Sequence, residues 1–392
     1  MAIMLIPQGM AYALIAGLPP IYDLNAALTP QIVYAFLGTS KQLAVGPVAM
    51  DSLLVAAGLG AISIVGPSQY IQMALLLALL MGVIQFVLGL LRMGFIVAFL
   101  SKPVISGFTS AAAIIIGLNQ IKHILGISIP QSNKIHVFIS LIMNSQNQIN
   151  FYTLAIGLIS ILLLIGIKKW NTKIPSALVV VIMSIFYVSY TNYDQKGLAI
   201  VGSIPHGLPN LIFPVLEWDI VKSLLPISLT IALVGFMEAI SIAKSIEEKN
   251  KTDEINPNQE LIALGASNII GSFFQSYPTS GGFSRTAVNN QSGAKTGVSA
   301  LISAIIVGVI LSFFTDWFYY LPKAALGAII IVAVINLIDY KYTFGLYKER
   351  KDEFFVLIFT FLGTLFIGIT EGILFGIILS LLLLVYRTSK PH

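Results

Sequence analysis

The sequence predicts an all-α integral membrane protein of fourteen transmembrane segments in two inverted repeats of seven, with short strands leading into half-helices 3 and 10. Three observations support this. First, 57% of the 392 residues are hydrophobic, only 10% are charged, and mean hydropathy is +0.90. A soluble domain carries roughly 25% charged residues, so this chain lacks the polar surface to coat a globule. Second, its segments are apolar all round, as in MALLLALLMGVIQFVLGLL at 73–91, not amphipathic. Third, two short glycine-led segments lie seven segments apart, which is the spacing of an inverted repeat.

A spanning helix needs about 20 apolar residues. Segments of this kind lie near 1–18, 26–38, 47–63, 70–91, 104–122, 151–168, 174–190, 223–246, 259–275, 282–293, 297–314, 322–338, 354–369 and 371–387. The second, third and tenth are short or broken by Gly and Pro; dropping the weak ones gives twelve. The start, MAIMLIPQGMAYALIAGLPP, has no basic n-region and reads as a membrane span broken at Pro7-Gln8, not as a signal peptide. Loop 123–150 contains KIHVFISLIM, a candidate interfacial helix, and 244–260 reads as a solvated linker.

The basic residues set an orientation. Lys122, Lys134, Lys196, Lys222 and Lys323 fall on one side; every other Lys and Arg except Arg285 falls on the side of the termini. Both termini are therefore expected in the cytoplasm, with a bacterial inner membrane as the expected location. The net charge of +5 follows from these loops and implies no nucleic acid. There is no cysteine, and His123, His136, His206 and His392 are scattered through loops and tail, so no metal site is expected. No P-loop and no HExxH pattern occur, and no histidine in a span can serve FSRTAV as a base, so an enzyme is not expected.

The doubling also pairs particular stretches. Pro7-Gln8 in the first span matches Glu238 in the eighth; GPVAMDSLL at 46–54 matches GGFSRTAVN at 281–289; SKPVISGF at 101–108 matches LPKAALGAI at 321–329. Non-helical backbone at membrane depth is tolerated only inside protein or beside water. LAVGPVAM is expected to run extended and turn helical at Pro47, a residue suited to a first turn. YPTSGG should do the same near Phe283. Each helix start presents free N–H groups and a positive dipole end. Two such starts meeting from opposite sides form an anion site without requiring a charged side chain. The candidate donors are the N–H groups of Val48, Ala49, Met50, Phe283 and Ser284. The plainer alternative is a pair of kinked helices packing through small residues.

Arg285 in a span costs at least about 2.5 kcal/mol on insertion scales. It should face protein or water, either touching the anion or setting the field behind the helix end; the alternative is an arginine snorkelling from the cytoplasmic end of a short helix. Glu238 is the lone carboxylate of TIALVGFMEAISIAKS. It can carry a coupling proton or cation, or it can pair with Arg285. Asp51 is a weaker coupling candidate, because a carboxylate near a helix start also stabilises that end. Gln8 offers both donor and acceptor to a ligand or to another helix, and Tyr12, four residues on, shares its face. Glu371 after Thr370 reads as the N-terminal cap of the last span.

IPQGMAYALIAGLPP, GTSKQLAVGPVAM, FMEAISIAKSI, FFQSYPTSGGFSRTAVN and YYLPKAALGAIIIVAV, in this order, resemble the sulfate permease family (solute carrier family 26 in animals). The resemblance implies a uracil-permease-like fold, with a core domain at 1–91 and 223–315 and a gate domain at 92–222 and 316–392. It places an inorganic anion beside Gln8, Val48, Ala49, Phe283, Ser284 and Arg285, with Glu238 as coupling residue and an elevator-like movement of core against gate. Sulfate with a proton is the expected pair. Bicarbonate or chloride transport or exchange, with sodium or uncoupled, is the runner-up, and a nucleobase permease is more distant. In sodium-coupled relatives a hydroxyl follows the carboxylate by one turn; here that position is Ile242, which favours the proton. Membrane lipid and a second copy of the chain are the other expected partners, and no cofactor is expected. The family's STAS domain is expected to be absent, since the sequence stops at SKPH, and the first helix is expected to be short at its cytoplasmic end. IYDLNAA at 21–27 departs from the family's YGLYAA, so Asp23 and Asn25 put local packing and activity there in question.

Overall fold

The computed structural model describes residues 1–60, 62, 66–95, 101–129, 135–145, 148–171, 174–191, 193–250, 254–335 and 337–368, with scattered positions from 372 to 383. Glu371, most of the expected fourteenth segment, and Lys134, Lys173, Lys251, Arg387 and Lys390 of the charge comparison lie outside the described residues.

The first third of the chain runs α1 (Ala2–Ala16), α2 (Pro20–Ala26), α3 (Thr29–Leu37), β1 (Val45–Gly46), α4 (Ala49–Gly60) and α5 (Pro67–Leu90). The break expected at Pro7-Gln8 does not occur: α1 continues through Pro7. Proline there forgoes one bond to the preceding turn, close to the helix start, where the loss is tolerable in a membrane protein. Gly17, at φ 74°, ends α1 in the left-handed conformation that glycine favours. The second segment, expected as one helix at 26–38, is two. Its first half begins at Pro20, and Pro30 in the first turn of α3 forces a new start after Ala27 and Leu28.

Next come α6 (Lys102–Leu125), α7 (Ile135–Asn144), α8 (Phe151–Trp170), α9 (Ser176–Thr191), α10 (Trp218–Asn250) and α11 (Pro257–Phe273). His123 lies in the last turn of α6, not in a loop. α10 is longer at both ends than the expected 223–246 and absorbs Pro226. The chain continues through β2 (Ser280–Gly281), α12 (Phe283–Gln291), α13 (Val298–Phe313), α14 (Lys323–Ile335), α15 (Tyr340–Glu349) and α16 (Lys351–Phe366). α15 was not expected. It is polar, and its start is marked by Asp339, whose side chain accepts the Tyr342 N–H at 3.0 Å.

Among the described residues, α5, α6, α8, α10 and the stretch Lys323–Glu349 are long and apolar enough to cross a membrane. The apolar helices α1, α4, α9 and α13 are shorter.

Two groups of helices pack together. In one, α5 lies along α11, and α10 and α4 lie against them. Here the backbones nearly touch: a Cβ on Gly82 would sit 2.8 Å from the Gly265 carbonyl oxygen, and one on Gly265 2.5 Å from the Phe86 nitrogen. Close approach through glycine is how membrane helices gain packing without a hydrophobic driving force between them. In the other group, α6 packs on α14, α16 and α8, and α14 also packs on α8 and α9. Helix α1 joins the two, touching α4 and α2 on one side and α14 and α9 on the other. Buried Glu260, in the first turn of α11, ties down the loop after α3. It accepts the Tyr34 hydroxyl at 2.7 Å, the Thr39 N–H and hydroxyl at 2.7 and 2.6 Å, and the Ser40 N–H at 3.1 Å.

Candidate functional site

The two polar interruptions cross each other. β1 and β2 pair antiparallel, Val45 opposite Gly281 and Gly46 opposite Ser280, and each leads into a short helix. The first intrahelical bond of α12 runs from the Thr286 N–H to the Gly282 carbonyl at 3.0 Å; that of α4 runs from the Ser52 N–H to Val48 at 3.1 Å. The N–H groups ahead of these bonds belong to Phe283, Ser284 and Arg285 on one helix, and to Ala49, Met50 and Asp51 on the other. The helix therefore starts at Ala49, not at Pro47: Pro47 and Val48 are still in the extended approach, and Val48 is the cap. The two starts are equivalent in geometry and opposite in charge. Asp51 and Arg285 occupy the same third position, where a carboxylate suits the helix dipole and a guanidinium opposes it.

Side chains of α12 grip the strand that leads into α4. The Ala44 N–H donates to the Thr286 hydroxyl at 2.9 Å, which itself donates to the Gly282 carbonyl at 2.7 Å. Asn289 donates to the Gln42 carbonyl at 2.9 Å, and the Gly282 N–H to the Ala44 carbonyl at 3.0 Å. From α11, Asn268 holds Thr279 through both its N–H and its carbonyl, each at 2.9 Å. A two-stranded pair is marginal alone. Here side chains satisfy the backbone that the short ladder leaves open, as buried peptide groups require.

A cavity of about 50 Å³ lies where the helix starts converge, lined by Gln8, Tyr12, Val48, Ala49, Met50, Glu238, Gly282, Phe283, Ser284, Arg285, Ala333, Val334 and Leu337. Of the expected binding and coupling residues, only Asp51 is off this wall. It is buried behind the cavity, where a Cβ on Gly235 of α10 would lie 3.4 Å from its Oδ1 and 3.2 Å from the Ser280 Cβ. Four wall residues were not among the expected ones: Gly282, then Ala333 and Val334 of apolar α14 and Leu337 just beyond it, the last three from a stretch that carries no local signal.

Arg285 is 2% exposed, so it does not snorkel. Its Nη1 donates to the Pro47 carbonyl at 2.7 Å, tying the two approaches together. Its Nε and Nη2 are enclosed with no hydrogen-bond partner among the described residues. Glu238 is partly accessible, and its Oε2 likewise has no partner. The two form no ion pair, although Glu238 lies in the field of both Arg285 and Asp51. The site thus offers unused donors and one unused carboxylate, and its first helical turn is open: Phe283 and Ser284 are exposed. A wider vestibule of about 700 Å³ shares Gln8, Ser284 and Ala333 with the cavity and extends to Met1, Lys168 and Gln291.

Asp23 and Asn25 are buried beside this site. The Tyr277 hydroxyl donates to Asp23 Oδ1 at 2.8 Å, and Asn25 donates to the Gln275 side chain at 3.2 Å. Both replacements are absorbed into the packing around the approach to β2.

Comparison with known proteins agrees with this architecture. The chain is 42% identical over 396 residues to the chloroplastic sulfate transporter 4.1 of Arabidopsis thaliana, covering 100% of this chain and 58% of that protein. It is 36% identical to the sodium-independent sulfate anion transporter of Bos taurus, covering 98% and 68%. It thus spans little more than half the length of the first of these relatives. The murine solute carrier 26 family member A9, an anion transporter solved in the inward-facing state, superposes with a TM-score of 0.92 at 27% identity, over 99% of this chain and 67% of that one. The transmembrane domain of a cyanobacterial bicarbonate transporter shares the fold, with a TM-score of 0.82 at 23% identity over 97% and 94%. The profile of the sulfate permease family matches residues 1–360, which takes in both crossed half-helices and the α14 wall, and the chain belongs to that family.

Proposed function

We propose that this chain is a secondary active transporter of a small inorganic oxyanion, sulfate first, driven by protons. The observation that carries this reading is the pair of unpartnered Arg285 donors at the convergence of two half-helix N-termini. Preorganised N–H groups and a positive dipole end bind anions without further charge. A cavity of about 50 Å³ has room for roughly three to five water-sized groups, the bulk of one tetrahedral oxyanion. Gln8 and Ser284 supply further donors on its wall. Glu238, which lines the same space and whose Oε2 has no partner among the described residues, is the residue we assign to the coupling proton. The absence of a hydroxyl one turn on, at Ile242, and the sodium-independent bovine relative both support a proton over sodium.

The movement is proposed to be an elevator of core (1–91 and 223–315) against gate (92–222 and 316–392), sliding where α1 meets α14 and α9. The vestibule leads to the side that holds Met1. With both termini cytoplasmic, this conformation is open inward.

Purified protein in liposomes tests the reading. Labelled sulfate should accumulate above equilibrium when the proton gradient points inward, with no need for sodium. Accumulation that follows a sodium gradient instead, or bicarbonate or chloride exchange without sulfate uptake, would replace it.

A further inference from the structure

Glu238 is not the only acid enclosed near the cavity. Asp23 of α2 is fully buried. Its Oδ2 has no hydrogen-bond partner and fills the space that a Cβ on Gly9 would need, one residue from cavity-lining Gln8. Its Oδ1 takes one bond, from the Tyr277 hydroxyl, and the Ser52 hydroxyl lies 3.0 Å from that of Tyr277. Among the described residues no cation pairs with it. The groups that face it are Tyr12 from α1, Tyr277 from the approach to β2 and Arg285 from α12, whose Nη1 is spent on Pro47. From α4, Ser52 and Asp51 reach it only through Tyr277, on which both act.

The charges do not balance. Asp23 and Glu238 face a single guanidinium, Asp51 faces Glu238, and a sulfate dianion would add two more negative charges. Glu260 is separate, with its own set of donors. A buried charge without a partner is neutralised where chemistry allows. The chemistry available to Asp23 is protonation on Oδ2. With the site empty, Arg285 offsets the charge on Asp23. Once a sulfate claims that guanidinium, the carboxylate takes a proton from water, and it returns the proton to water when the anion leaves. The Ser52 and Tyr277 hydroxyls link it to the start of α4.

We propose that Asp23 is a second proton-binding residue, so that each sulfate is accompanied by one proton there and one on Glu238. The proposal rests on the proton-coupled reading above. It makes sulfate movement electroneutral.

The test measures protons and sulfate entering liposomes together, with the membrane potential clamped by potassium and valinomycin. The wild type should move about two protons per sulfate, at a rate indifferent to potential; Asp23→Asn, which keeps an acceptor for Tyr277, should move about one and be slowed by a negative interior. An unchanged ratio and unchanged potential dependence in Asp23→Asn overturn the proposal and leave proton coupling standing. Sulfate uptake without proton movement in the wild type removes both. If Asp23→Asn does not fold, Tyr277→Phe keeps every carboxylate and should displace the pH profile of sulfate-linked proton uptake; an unmoved profile overturns the assignment.

Discussion

Arg285 joins the crossing and the proposed binding in one side chain. Its Nη1 closes the crossing through Pro47, while Nε and Nη2 are enclosed without a partner among the described residues. Hydrogen bonds to a charged group contribute about 1.5–3 kcal/mol each. Arg285→Ala should therefore weaken sulfate binding by roughly 10- to 150-fold per lost contact. Calorimetric titration of the purified protein reads this directly. Affinity and uptake rate both at wild-type level would make the arginine a bystander. Glu238→Gln should behave differently. It keeps the shape of the wall and removes one of two ionisable groups, so sulfate–sulfate exchange should persist while gradient-driven accumulation falls to what the proton on Asp23 alone supports. If accumulation stays at the wild-type level in this variant, the coupling proton is not on Glu238.

At the scale of elements, the crossed pair β1–β2 depends on α12 as much as on its own short ladder. Thr286→Val removes the acceptor of the buried Ala44 N–H and should cost about 1–3 kcal/mol. A lower unfolding temperature, together with weaker sulfate binding, is the expected pair of effects. Normal binding at normal stability would mean that the strand is held by other contacts. Much of this crossing was legible, because Gly46-Pro47 and Gly281-Gly282 announce extended backbone turning into helix. The same cue misled at Pro7, where one proline near a helix start does not break it. It also placed the start of α4 two residues early. α15 escaped hydropathy because its residues are polar, and α14 gave no sign of facing a cavity. The Asp23–Tyr277–Ser52 chain joins residues from three distant stretches, and no local pattern reports a contact of that kind. The departures at Asp23 and Asn25 were visible, but their partners were not.

At the scale of the whole molecule, the expected asymmetry of charge across the membrane can be tested without disturbing the site. The chain has no cysteine, so single cysteines can be introduced into the wild-type background. Lys295, after α12, is exposed on the side expected to be cytoplasmic; Lys196, after α9, is exposed on the other. In sealed vesicles an impermeant thiol reagent should label Lys295→Cys and Lys196→Cys from opposite faces. Ser284 ties this topology to transport, because it lies on both the cavity and the vestibule that reaches Met1. Ser284→Cys should react from the same face as Lys295→Cys, and bound sulfate should protect it. Labelling of both lysine positions from one face would undo the assignment of loops, and with it the inverted relation of the two half-helices. Labelling of Ser284→Cys from the Lys196 face alone would mean that the vestibule opens outward. That result would reverse the direction of the proposed cycle while leaving the crossed half-helices and their proposed anion site as they stand.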